Sequence, residues 1–295
     1  MSNAIDVQYK TELGERAEMG IKPVMKYHGA KWALASWVLE HFPAHETYVE
    51  VFGGSAAVLL NKKPSKHEVY NDKNDVIVNL FRVIRDDEMR NELIKLLSMT
   101  PYSRTEFLDA RHHDENYDPV TSAHKLLIRA QMGFGSSGAT SSYTGFKSYT
   151  SVKGAASIKN LWTNLPANLI EVATRLQGVM IENNDAQKLI KSHDSSDTLF
   201  YLDPPYSAST RENTDTYGKF EYSDNEHESL LELVLGCSAK FVISGYDNDL
   251  YSDVLKGWKR SFKSAAISSQ KGSVVRTEVI WSSPNCESHQ LDFFD

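Results

Sequence analysis

Apolar positions alternate along this chain between short continuous runs and stripes at helical spacing. Residues 1–20 are polar and aperiodic and read as a loose tail. Trp32, Ala35, Val38 and Leu39 recur on one helical face, and Pro43 closes that helix. Residues 47–52 read as a short buried strand, followed by Gly53-Gly54-Ser55 and a return to helix over 56–61. A second strand at 67–70 ends in Asn71-Asp72. The span 75–97 is predicted to be strongly helical, with Val76, Leu80, Val83 and Ile84 on one face. Strand, glycine turn, helix, strand and acid is how a doubly wound nucleotide-binding sheet begins.

The rhythm then breaks. Residues 101–164 hold helical pieces and a Gly/Ser/Thr/Tyr-rich segment at 132–143, which fits an inserted subdomain carrying a loop or β-hairpin. Strands resume at 178–182, 198–202 and 240–244, with a helix at 225–235 and a late strand at 274–281. The expected fold is therefore α/β. A Rossmann-like sheet domain takes 21–95 and 165–295, and a mainly helical insert takes 96–164.

Composition changes this picture little. At 295 residues the chain is long enough for one α/β domain with an insertion. Apolar runs stay well below the length of a membrane span, and the first residues lack the pattern of a signal peptide. Cys237 and Cys286 lie far apart, and no His, Cys and acid spacing of ligand type is found. Neither a metal nor a disulfide framework is expected, and the cytoplasm is the expected compartment.

Charge adds more. The net charge is −7, yet residues 119–170 contain no Asp or Glu, where the chain average predicts about seven. That window carries Lys125, Arg129, Lys147, Lys153 and Lys159. A second acid-free window, 254–277, carries Lys256, Lys259, Arg260, Lys263, Lys271 and Arg276. A basic face on an acidic body and two solvated loops both fit these windows.

The sharpest chemical signal is Asp203-Pro204-Pro205-Tyr206, directly after the apolar strand at 198–202. Loops at the carboxyl ends of strands are where α/β sheets bind ligands. A carboxylate and a carbonyl in such a turn can accept both N–H bonds of an exocyclic amine. That aims its lone pair, while a tyrosine ring stacks on an extruded base.

With these residues in place, the chain resembles the Dam-like DNA adenine-N6 methyltransferases from about residue 22 to residue 285. The order also agrees: cofactor motifs, then a recognition insert, then Asp-Pro-Pro-Tyr. The family's aromatic-x-Gly-Gly-Lys opening is matched by Tyr27-His28-Gly29-Ala30-Lys31, with Ala30 as a departure, and its acid-Pro-Phe-x-Gly-x-Gly by residues 50–56, with Val51 and Ala56 as departures. The resemblance implies an S-adenosylmethionine cofactor held by Tyr27, Lys31, Glu50, Phe52, Gly54, Asp72, Asp185 and Asp203. It implies that Asp203, Pro204, Pro205 and Tyr206 methylate N6 of a flipped adenine. It also implies double-stranded DNA contacts from the insert, with Arg129, Phe134, Tyr143, Lys147 and Tyr149 as candidates, and phosphate contacts from Lys263 and Arg276. A cognate restriction endonuclease is a partner consistent with such an enzyme, which can work as a monomer or weak dimer. Without the family, Lys31 reads as a helix-start charge, and Asp72 and Asp185 read as caps. RNA adenine as the substrate, or a silent DNA-binding relic, remains open on sequence alone.

Overall fold

The structure is a computed structural model that describes residues 21–112, 116–140, 144–148, 152–206, 220–269 and 272–287; the side chains of 137, 152–159, 265–269 and 272–276 lie outside that description. Two compact units are formed, one from residues 33–73 with 179–287 and one from residues 21–32 with 74–178.

The first unit holds a seven-stranded sheet in the order β3-β2-β1-β4-β5-β7-β6. Its strands are β1 (Thr47–Glu50), β2 (His67–Asn71), β3 (Val179–Glu182), β4 (Thr198–Leu202), β5 (Lys240–Tyr246), β6 (Lys259–Ser269) and β7 (Gly272–Ser282). The first five pair in parallel, while β7 runs antiparallel between β5 and β6. This is the doubly wound α/β sheet that the sequence pattern predicts. Its central strand β4 is buried at all five positions, as a strand covered on both faces must be. Val49, Phe200, Leu202, Phe241, Ile243 and Trp281 share one core cluster, with Phe200 and Phe241 stacked 5.0 Å apart.

The structure adds two details to the sequence pattern. The helical span 75–97 is built as two helices, Asp75–Arg85 and Asp87–Met99. Asp86 separates them with an extended backbone, and its carboxylate accepts the Met89 N–H. A side chain that caps a new helix this way competes with continuing the old one. The basic window 254–277 is mostly strand: β6 and the first half of β7 lie in it. Edge strand β6 has few apolar residues and leaves Phe262 54% exposed, so no clean alternation marks it in the sequence.

The second unit is helical in its described parts. Arg104–Ala110, Pro119–Met132 and the 24-residue helix Val152–Arg175 join the pair around Asp86. Phe107, Ala110, Ile128 and Met132 form a small core there, with Tyr102, Phe146 and Trp162 packed against it. The segment leading to Tyr27 is tied into this unit by side-chain amides. Asn168 Oδ1 accepts the Lys22 N–H at 2.8 Å and its Nδ2 donates to the Lys22 carbonyl at 2.9 Å, while Gln131 Nε2 donates to the Val24 carbonyl at 2.8 Å. Val24 and Met25 are then buried. Removing the Asn168 amide loses two partly buried bonds. Asn168→Ala is expected to cost about 1–3 kcal/mol in urea denaturation, with Asn168→Gln costing comparably because its longer amide misses both groups.

Candidate active site

The carboxyl ends of β1 to β5 define one edge of the sheet, and most of the residues singled out in the first unit lie along it. Strand β1 delivers Glu50, whose buried carboxylate accepts the Tyr48 hydroxyl and the Leu59 N–H, both at 2.7 Å. This carboxylate therefore anchors the short helix Ala57–Asn61 behind the turn. Burial, followed by the adjacent Glu50 charge, raises the Tyr48 phenol well above its ordinary value and keeps it protonated as a donor.

The glycine turn is closed by strand β2. Gly54 N–H donates to Asp72 Oδ2 at 2.8 Å, and the Tyr70 hydroxyl donates to the Gly54 carbonyl at 2.7 Å. Gly54 and Ala56 both adopt left-handed backbone, with φ of 48° and 55°. Ala56 stands where the resembling family has glycine, so this chain holds a buried alanine in a conformation that costs about 1–2 kcal/mol. Phe52 lies partly buried against the sheet core, with its ring edge-to-face with Tyr222 at 5.5 Å.

Asn71, which sequence spacing gave no reason to choose, ties three loops together. Its Nδ2 donates to the Val51 carbonyl at 2.8 Å and to the Asn184 carbonyl at 3.2 Å, and its Oδ1 accepts the Asn184 N–H at 2.8 Å. Asn184 precedes Asp185, the exposed N-cap of helix Ala186–His193, whose Oδ1 accepts from the Gln187 and Lys188 N–H groups. Its other oxygen, Oδ2, makes no hydrogen bond among the described residues. Tyr222, also missed by sequence reasoning, sits near this cap. Burial pushes its phenol up to about 12 against a hydrogen bond with Gln187, with the Glu226 and Asp185 charges adding to the rise.

At the end of β4 stand Asp203, buried Pro204, and half-buried Pro205 and Tyr206. A buried chain of hydroxyls approaches Asp203 from the sheet. Tyr201 and Ser244 oxygens lie 2.9 Å apart, and Ser244 Oγ lies 2.8 Å from Asp203 Oδ1. An ionised carboxylate only accepts, so the Ser244 proton goes to Asp203 and the Tyr201 proton goes to Ser244. Burial, then the Asp203 charge, holds the Tyr201 phenol well above its ordinary range. Tyr206 lies edge-on to Tyr246, with ring centroids 4.5 Å apart, and donates its hydroxyl to Glu278 at 2.8 Å. Burial and the Asp203 and Glu278 charges raise its phenol too.

The other candidates lie elsewhere. Lys263, on β6, holds its ammonium over the Trp37 ring, 5.6 Å from the centroid. In the helical unit, Lys31 is buried and its Nζ donates to the Gly29 carbonyl at 3.1 Å, while the Tyr27 carbonyl accepts the Ala30 N–H. The Arg129 guanidinium turns inward and donates to the Ala110 carbonyl at 2.9 Å. Phe134 is 58% exposed on one arm of a short antiparallel pairing, in which Gly133 bridges Phe146 and the Lys147 N–H donates to the Met132 carbonyl. Lys26, not singled out from sequence, donates to the Gln131 carbonyl at 3.0 Å. Burial first, and then the Lys147 ammonium, pull its amine down to about 8. Tyr143 and Tyr149 lie outside the described residues, as does the side chain of Arg276. Among the described residues no group of His, Cys, Asp and Glu is arranged to hold a metal, and no helix is long and apolar enough to cross a membrane.

Gly53 is the position where this geometry leaves least room. A Cβ there would lie 2.2 Å from Tyr70 Cε2 and 2.8 Å from the Asn71 carbonyl oxygen. The ring cannot swing away without losing its bond to Gly54. Gly53→Ala is therefore expected to destabilise the protein by about 1–3 kcal/mol in urea denaturation, and unchanged stability would refute the close packing of the turn.

Comparison with known proteins agrees with this architecture. The model of the D12 class N6 adenine-specific DNA methyltransferases matches residues 27–270. The modification methylase StsI of Streptococcus sanguinis is 25% identical over 224 residues, which is 72% of this chain and 33% of that protein. The chain thus spans about a third of that relative's length. A solved structure of precorrin 8W decarboxylase from Methanobacterium thermoautotrophicum matches 89% of this chain and 95% of its own, at 7% identity and a TM-score of 0.36, too slight a likeness to argue from. The family match begins at the tyrosine of the first motif, takes in the glycine turn and the Asp-Pro-Pro-Tyr loop, and ends beyond β6. The chain belongs to the D12 class N6 adenine-specific DNA methyltransferase family.

Proposed function

We propose that this chain transfers the methyl group of S-adenosylmethionine to N6 of an adenine flipped out of double-stranded DNA. The observation that carries the reading is the Asp203–Tyr206 turn at the end of the central strand, with its carboxylate bonded by Ser244 and its ring gripped by Tyr246 and Glu278. An exocyclic amine is a weak nucleophile because its lone pair is delocalised into the ring. Asp203 and the Pro204 carbonyl would accept its two N–H bonds and turn that lone pair toward the donor. The surplus proton leaves the nitrogen after transfer, so no separate general base is required. Tyr206 would stack on the extruded base and offset part of the few kcal/mol, roughly, that flipping costs.

The residues along the sheet edge suit the cofactor's chemistry. When bound, S-adenosylmethionine supplies an electrophilic methyl group on a sulfonium centre. Asp72, just after β2, would accept from ribose hydroxyls, and Asp185 Oδ2 would accept from an adenine amine. Phe52 and Gly54 would pack beside the nucleoside, with Glu50 holding the turn from behind. The family resemblance assigns Tyr27 and Lys31 to the cofactor's methionine end, as a proposal. We assign residues 96–164 to target recognition. Exposed Phe134, with Lys147 and Tyr143, is proposed to meet the bases and phosphates, and Lys263 and Arg276 the phosphates beside the flipped base. Arg129, bonded to Ala110, would serve this face by holding two helices together. The name of the StsI relative supports a role as the modification partner of a restriction endonuclease.

The test is transfer of labelled methyl from S-adenosylmethionine to unmethylated genomic DNA and to RNA, followed by nucleoside analysis. N6-methyladenine is expected in DNA alone, and Asp203→Ala should lower the rate by at least ~10²-fold. Label in RNA alone would overturn the substrate, and full activity in Asp203→Ala would overturn the mechanism.

A further inference from the structure

The carboxylate that accepts the Tyr206 hydroxyl is itself buried. Glu278, on β7, is 6% exposed. A carboxylate so placed is costly to bury unless hydrogen bonds compensate it. In the β5–β7 ladder Glu278 lies directly opposite Tyr246, and in the β6–β7 ladder directly opposite Lys263. The side chains of such pairs emerge on the same face of the sheet. The Lys263 ammonium is drawn over the Trp37 ring, while the Glu278 carboxylate accepts the Tyr206 hydroxyl at 2.8 Å. Tyr206 is therefore gripped twice by one cross-strand pair. Tyr246 meets its ring edge-to-face at 4.5 Å, and Glu278 takes its only hydroxyl proton.

We propose that Glu278 is a positioning residue for the methyl-transfer site, setting the orientation in which the Tyr206 ring meets the extruded base. This rests on the reading of Tyr206 as the base-stacking residue. With its proton committed to Glu278, the Tyr206 hydroxyl is not a donor to the base, and the ring contributes by stacking. The two prolines before Tyr206 limit how its backbone can move. Beyond them, the bond to Glu278 and the contact with Tyr246 bear directly on how the ring is turned. The carboxylate acts through Tyr206 and touches neither the amine nor the methyl donor.

The test has two arms. In the first, 3-fluorotyrosine is incorporated at position 206 and followed by fluorine NMR, without DNA or cofactor. The wild type and Glu278→Gln, which keeps an acceptor, should give one matching signal, whereas Glu278→Ala should give a shifted, exchange-averaged signal. An unchanged signal in Glu278→Ala overturns the proposal. In the second arm, methyl transfer is measured for Glu278→Ala, Glu278→Gln, Tyr206→Phe and the Glu278→Ala/Tyr206→Phe pair. Glu278→Ala should lower kcat roughly tenfold with cofactor affinity unchanged, and Glu278→Gln should recover most of it. In Tyr206→Phe the Glu278→Ala change should add little. A full additional loss in that background would make Glu278 a structural residue and overturn the proposal. A wild type that methylates no DNA refutes the functional reading, and the NMR arm still decides whether Glu278 sets Tyr206.

Discussion

Strand β4 runs through the centre of the sheet and is followed by Asp203, whose carboxylate is held from the neighbouring strand. The hydrogen bond from Ser244 to Asp203 supplies that constraint, and Tyr201 in turn donates to Ser244 from the buried interior. The chain of donors has one direction, because the carboxylate has no proton to give. Burial and the nearby negative charge keep the Tyr201 phenol protonated, so the direction holds at any pH near neutrality. Parallel pairing of β4 with β5 places Leu202 beside Ile243, which brings Ser244 level with Asp203. Register and chemistry are thus coupled. A slip of one residue would turn Ser244 to the opposite face and leave Asp203 without its donor.

The same logic recurs along the sheet edge. Glu50, Asp72 and Glu278 each accept a hydrogen bond from a neighbouring strand or loop: the Tyr48 hydroxyl and Leu59 N–H, the Gly54 N–H and the Tyr206 hydroxyl. Each bond offsets the cost of holding a carboxylate away from bulk water, and each fixes the direction of a loop. Phenols are well suited as the donors. Their ordinary value near 10 already keeps them protonated, and burial raises it further. The left-handed Ala56 shows that this edge also tolerates backbone cost, which the packed helix Ala57–Asn61 and the Glu50 anchor hold in place.

Much of this was legible in the sequence because it is local. The apolar run before Asp203, the paired prolines and the glycine turn after β1 are all contiguous signals, and they located the sheet edge. The partners of these residues were not legible, because they come from distant strands. Ser244 and Glu278 lie 41 and 72 residues from Asp203 and Tyr206, and only strand register brings them near. Asn71 likewise reads as part of a turn until its amide is seen bridging loops more than 100 residues apart. Charge windows were less informative than they looked. The window at 254–277 concealed an edge strand, and Arg129, one of the cations of the 119–170 window, spends its guanidinium on a carbonyl of its own unit. A run without acids tells composition; it does not tell which way a side chain turns.

If the site depends on an oriented Asp203, that orientation should be separable from cofactor binding. The direct measurement is kcat for methyl transfer by Ser244→Ala beside the dissociation constant for S-adenosylmethionine. The account predicts a fall in kcat of roughly 10- to 100-fold, far larger than any change in the dissociation constant, since the aim of the carboxylate is what is lost. A Ser244→Ala protein with wild-type kcat would contradict it.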